Sequence, residues 1–83
     1  MKWIKGPKNS TADGGYFIEY RLEADDRLRV ITSKYPVEHA NGEGSWLAVK
    51  YIASWPHDAK EFHLLCNAKK FLELMYMEGR YDS

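Results

Sequence analysis

The chain has a single cysteine among its 83 residues. No internal disulfide can form, so a small secreted scaffold held by cross-links is excluded. A surplus of charge of one sign is also missing: twelve Lys and Arg meet twelve Asp and Glu, for a formal net charge of zero. A protein that grips nucleic acid without sequence preference works by neutralising phosphates and carries a basic excess. The total here holds none, which leaves only a local basic face for that role. No run approaches the roughly 20 apolar residues of a membrane span, and the opening MKWIKGPKNS lacks the apolar core of a secretion signal. The cytoplasm is the expected compartment. Internal repeats and low-complexity tracts are absent, and neither GPKNSTADGG nor NGEG has the spacing of a phosphate-cradling loop.

What is present is enough for one small domain over residues 1–83, with 45% hydrophobic residues. Three Trp, six Tyr and three Phe supply large rigid side chains, which help a short chain close a core and equally suit a partner surface. Neutrality weakens repulsion between molecules, so self-association or a standing partner is expected.

Residues 1–15 read as an arm or edge strand, MKWIK, ending at Gly6-Pro7 and followed by loop chemistry in KNSTADGG. Residues 16–35 read as a hairpin. In YFIEYRLE, Tyr16, Ile18, Tyr20 and Leu22 alternate with Phe17, Glu19, Arg21 and Glu23. Leu28, Val30 and Thr32 continue the apolar side in the return strand, which Pro36 is expected to end. After the loop PVEHANGEG, residues 45–54 form a third strand with Leu47, Val49, Tyr51 and Ala53 on the core side. From Asp58 the period changes to 3.6: Leu64, Leu65, Ala68, Phe71, Leu72 and Met75 share one arc, predicting a helix over 58–78. Asp58 and Glu61 have the spacing of a capping box, and Gly79 that of a C-cap. The expected class is α+β: a small antiparallel sheet of three to four strands with one C-terminal amphipathic helix packed on one face, in the order β-β-β-α. Ile18, Tyr20, Leu28 and Val30 should meet Leu65, Leu72 and Met75. That order is similar to the later part of a double-stranded RNA-binding domain. No helix pattern precedes the hairpin, however, and no lysine cluster precedes the final helix, so no function carries over.

The stretch HDAKEFHLLC, residues 57–66, concentrates two histidines, two carboxylates and the cysteine. On a helix, His57 and His63 would stand about 120° apart around the axis, so one site could not collect both. His63 with Cys66, and His39 from the loop, would still leave a zinc site short of a fourth ligand. Cys66, placed in mid-helix, would lie away from the terminal dipole that activates thiols. No metal, no cofactor and no enzymatic activity are expected.

Two surfaces remain. Phe62, Cys66, Leu74 and Met77, among Lys69 and Lys70, would fall on the back of the helix, where apolar residues rimmed by charge suit a protein partner or a second copy of the chain. Phe62 should then matter for binding and not for stability. Phe17, Arg21, Arg29, Trp46 and Lys50, with Glu19, Ile31 and Ile52, would form the outer sheet face. Aromatics among basic residues could stack bases there, unless the MKWIK arm and the 36–44 loop cover them. The leading expectation is a non-enzymatic protein-binding module. Its size and composition are those of small phage or mobile-element accessory proteins that inhibit a host protein. The alternative is a nucleic-acid-binding domain using the outer sheet face.

Overall fold

The computed structural model describes residues 1–38, 42 and 44–79. Five strands precede one helix: β1 (Trp3–Ser10), β2 (Tyr16–Leu22), β3 (Asp25–Glu38), β4 (Ser45–Trp55), β5 (Asp58–Phe62) and α1 (Leu65–Glu78). The strands form one antiparallel sheet in chain order, so each pairs with its neighbours in sequence. The α+β class and the C-terminal helix match the expectation; the sheet has five strands rather than three or four.

Two segments account for the difference. Residues 3–10 are a strand that passes through Gly6-Pro7 instead of ending there. It pairs with β2 from Trp3↔Leu22 to Ser10↔Tyr16, and its register shifts between Lys5 and Lys8. The Gly-Pro pair occupies that irregularity on an edge strand, where a proline is tolerated. Residues 58–62, expected as the first turns of the helix, are instead β5, paired with β4 from Trp55↔Asp58 to Tyr51↔Phe62. The turn at Pro56-His57 folds them back. Asp58 therefore caps no helix: its Oδ1 accepts the Ala59 N–H at 2.8 Å, and Leu64 stands at the helix N-cap without a side-chain bond. The apolar arc of the helix starts only at Leu65, with Leu64 as its exposed N-cap, while 58–62 satisfy their backbone by pairing with β4.

Pro36 does not end its strand either. β3 continues to Glu38, with Pro36 opposite Leu47. The last β2 partner of β3 is Lys34, so from Tyr35 onward that side of β3 is an edge, where proline removes no ladder bond. At the β1–β2 turn, Gly15 is buried so closely that a Cβ would lie 2.3 Å from the Lys34 carbonyl oxygen. Asp13 shapes this turn by accepting the Thr11 hydroxyl and the Gly15 N–H, bonds that hold its carboxyl below the usual carboxylate range.

Alternation sends Tyr20, Leu22, Leu28, Val30, Tyr51 and Ala53 to the face that carries α1. Leu22, Leu28, Val30 and Ala53 from the sheet and Ala68 and Leu72 from the helix are buried together. Trp3, Tyr20, Tyr51, Trp55, Phe62, Leu65, Phe71, Met75 and Tyr76 surround them. Ile18, expected in this core, is half-buried and stands outside the cluster. The helix is tied to the first strand by Trp3 Nε1, which donates to Glu73 Oε2 at 2.8 Å. It ends at Gly79, whose left-handed backbone (φ 67°) lets its N–H reach the carbonyls of Met75 and Tyr76.

Two outcomes follow from this packing. Leu72→Ala should lower stability by roughly 2–5 kcal/mol in urea titration, because it opens a cavity at a fully enclosed site; a change below about 0.5 kcal/mol would place Leu72 on the surface. Thr32 is the opposite case. It lies between Ile18 and Tyr51 in the sheet, and its hydroxyl is buried without a hydrogen-bond partner. Thr32→Val removes that orphan group at nearly constant shape and should raise the urea midpoint, by about 1 kcal/mol of stability. A loss of stability would show that the hydroxyl is bonded in solution.

Candidate functional site

The residues of HDAKEFHLLC do not share a helix. His57 is in the β4–β5 turn, Asp58 and Glu61 are on β5, His63 is in the bend after it, and Cys66 is in the first turn of α1. Cys66 is thus not in mid-helix as expected, because the helix begins seven residues later than its sequence pattern suggested (58 against 65). Its exposed Sγ lies 3.8 Å from Asn67 Oδ1. Among the described residues no group of three or more His, Cys, Asp or Glu is placed to hold a metal. His39 lies outside the described residues.

The expected partner surface divides. Phe62 belongs to β5 and points to the helix side of the sheet, where its ring centroid is 5.3 Å from that of Phe71. It rims the core and is no surface anchor. Lys69 is also turned inward along the helix flank, with Nζ 4.6 Å from the Tyr20 ring centroid and 5.9 Å from that of Trp3. Cys66, Lys70, Leu74 and Met77 are exposed. At about 100° per residue they fall within an arc of about 80°, directly opposite Ala68 and Leu72. Leu74 is 51% and Met77 71% exposed. Beside them Phe71, Leu74, Met75 and Glu78 line a shallow cleft of about 330 Å³.

The outer sheet face does gather the second set of residues. Among the described residues no element lies over it: MKWIK is an edge strand, and 36–38 continue β3. Arg21 pairs with Arg29, Phe17 with Ser33 and Ser33 with Lys50, while Trp46 lies opposite Val37 near the far end. Phe17, Arg21 and Arg29 line one depression of about 270 Å³ with Gly6, Pro7, Asn9 and Glu19. The charges there are largely engaged within the chain. Arg29 Nη1 is 3.1 Å from Glu19 Oε1, its Nε donates to the Asp26 carbonyl at 2.7 Å, and Lys50 Nζ lies 5.3 Å from the Tyr35 ring centroid.

Two features were missed in the sequence. The first is the open half of the inner face, where Lys8 and Lys34 lie 4.0 Å and 5.4 Å from the Tyr16 ring centroid. A hydrogen bond from Lys34 lowers the Tyr16 phenol below its ordinary value and raises Lys34 above its own. Tyr16 and Lys34 are register partners, so hairpin alignment was the available signal. The second is the projecting part of β3 and β4. Trp46 and Leu47 are each 50% exposed there and Val49 40%. Comparison of the chain with protein-family models, with curated proteins and with solved structures finds no match.

The position of Phe62 reverses the expectation for its truncation. Phe62→Ala should lower stability by roughly 2–3 kcal/mol, less than the 3–5 kcal/mol of a fully enclosed phenylalanine. An unchanged thermal midpoint would put Phe62 back on the surface.

Proposed function

We propose that this chain is a non-enzymatic protein-binding module that engages a partner protein through the outer side of α1, in the manner of a small phage or mobile-element protein inhibiting a host protein. One observation carries the reading: Leu74 and Met77, three residues apart, are exposed on the helix side opposite its buried seam, next to the cleft of Phe71 and Met75. An isolated exposed apolar residue is ordinary. Two neighbours at the mouth of an apolar cleft, flanked by Lys70 and Glu78, have the form of an interface centre with a polar rim.

The nucleic-acid reading keeps one favourable observation, the Phe17–Arg21–Arg29 depression on an uncovered sheet. The internal ion pair of Arg29 weakens it.

Binding measurements on a captured partner separate the two. The double substitution Leu74→Ala, Met77→Ala should weaken partner affinity about 30-fold, the equivalent of about 2 kcal/mol for a lost anchor. The urea midpoint should move little, because both side chains are largely in water. Unchanged affinity would remove α1 as the binding surface. Binding that collapses between low and physiological salt and depends on Arg21 would assign the sheet face to nucleic acid.

A further inference from the structure

We infer that the free edge of β4 joins a second copy of this chain strand to strand, so that two five-stranded sheets run on as one. This goes beyond the α1 surface and rests on a different part of the molecule.

β5 pairs with β4 only over Tyr51–Trp55. Among the described residues no strand lies on that side of the preceding stretch, 45–50, although on its other side it is paired with β3 as far as Glu38↔Ser45. The edge is therefore held extended while its outward N–H and C=O groups lack strand partners, a template for one more strand. Its side chains are Ser45, Trp46, Leu47, Ala48 and Val49, none of them charged, before Lys50. Trp46, Leu47 and Val49 are all exposed.

The usual protections of an edge are missing from this stretch and present on the others. β1 carries the Gly6-Pro7 irregularity and Lys2, Lys5 and Lys8 at its margin. The open side of β3 carries Pro36. β5 is five residues long with Asp58, Lys60 and Glu61 among them. The β3–β4 register, by contrast, runs from Arg29↔Ser54 to Glu38↔Ser45 without a shift, so no bulge twists the 45–49 edge away.

The occupant follows from charge and register. An uncharged edge offers a charged partner nothing to pair with, and a chain of zero net charge does not repel its own copy at long range. Antiparallel pairing about a twofold axis at Leu47 keeps the crossing within 45–49, clear of Tyr51, opposite which β5 ends at Phe62. It sets Leu47 against Leu47 of the second copy, Trp46 against Ala48 of the second copy, and Ser45 against Val49 of the second copy. Large side chains then meet small ones on the outer face. Both helices stay on the same side of the joined sheet, because directly opposite residues share a face.

Sedimentation velocity on the full chain, from low micromolar to millimolar concentration, tests this. A monomer–dimer equilibrium is expected. Leu47→Lys and Leu47→Glu should each raise its dissociation constant at least about tenfold, since like charges then face each other at the axis. Mixing the two variants should restore a dimer, which a merely misfolded variant would not do. The thermal midpoint of each, measured at high dilution, should stay near that of the parent, because Leu47 is half exposed. The double Leu74→Ala, Met77→Ala substitution should leave the dimer intact. A chain monomeric at every concentration would overturn the inference. So would a dimer indifferent to Leu47→Lys, a failure of the mixture to recover, or a dimer lost on changing Leu74 and Met77.

Discussion

A mismatch of lengths governs this molecule. α1 and β3 have fourteen residues each. As a helix that number rises about 21 Å, and as a strand it extends roughly 47 Å. One helix laid on this sheet can shield less than half the length of its central strand. The buried core is accordingly gathered at one end, where Leu22, Leu28, Val30 and Ala53 meet Ala68 and Leu72. Beyond it the same strands carry Leu47 and Val49 in the open. The molecule measures 48 × 23 × 20 Å, the proportions of a strand pair extending past its cover.

So small an enclosed centre has to be supported from its rim, and the aromatic content serves there. Phe71 is the hub on one flank, with ring centroids 5.5 Å from Trp55 and 5.3 Å from Phe62. Tilted pairs at that separation add about 0.5–1.5 kcal/mol each beyond the area they bury. On the other flank Lys69 holds its ammonium over Tyr20 near Trp3, and Trp3 donates to Glu73. These contacts join the first strand to the helix across most of the chain's length. Partly exposed aromatic rings thus act as structure here, and aromatic richness alone did not identify a binding surface.

The readable parts of the fold were those whose pattern and pairing agree. Residues 16–22 and 28–32 alternate because one face is covered over part of its length, and the helix arc from Leu65 to Met75 is apolar because it supplies that cover. Residues 58–62 failed because five residues with one large apolar side chain, Phe62, satisfy a strand and a helical turn equally. Only the Pro56-His57 turn and the unpaired side of β4 decide between them, and pairing is not local information. That single error displaced Phe62 from the core rim to a surface and Cys66 from the first helical turn to mid-helix. The stripe of Leu74 and Met77 survived because it depends only on the period within the helix. The exposed 45–49 edge was invisible for another reason: the apolar run Trp46–Val49 suits a buried strand equally well, and its exposure arises only because the pairing of β5 and the cover of α1 both end before it.

The placement of charge bears on which partner the open surfaces suit. Most of the described basic groups on or near the sheet already have a neighbour within the chain. Lys2 lies 3.5 Å from Glu23, Arg27 2.7 Å from Asp25, Arg29 3.1 Å from Glu19, and Lys8 and Lys34 flank Tyr16. Phosphate binding draws its strength from cations free to replace condensed counterions. A guanidinium held by a carboxylate must lose that carboxylate first, or carry its negative charge toward the phosphate. Trp46, Leu47, Val49, Leu74 and Met77 face no such competition, since apolar surface gains by being covered whatever covers it. The charges of this sheet are spent largely on holding its own strands and turns. The unspent part of the surface is apolar, and that asymmetry favours protein over phosphate as the proposed partner.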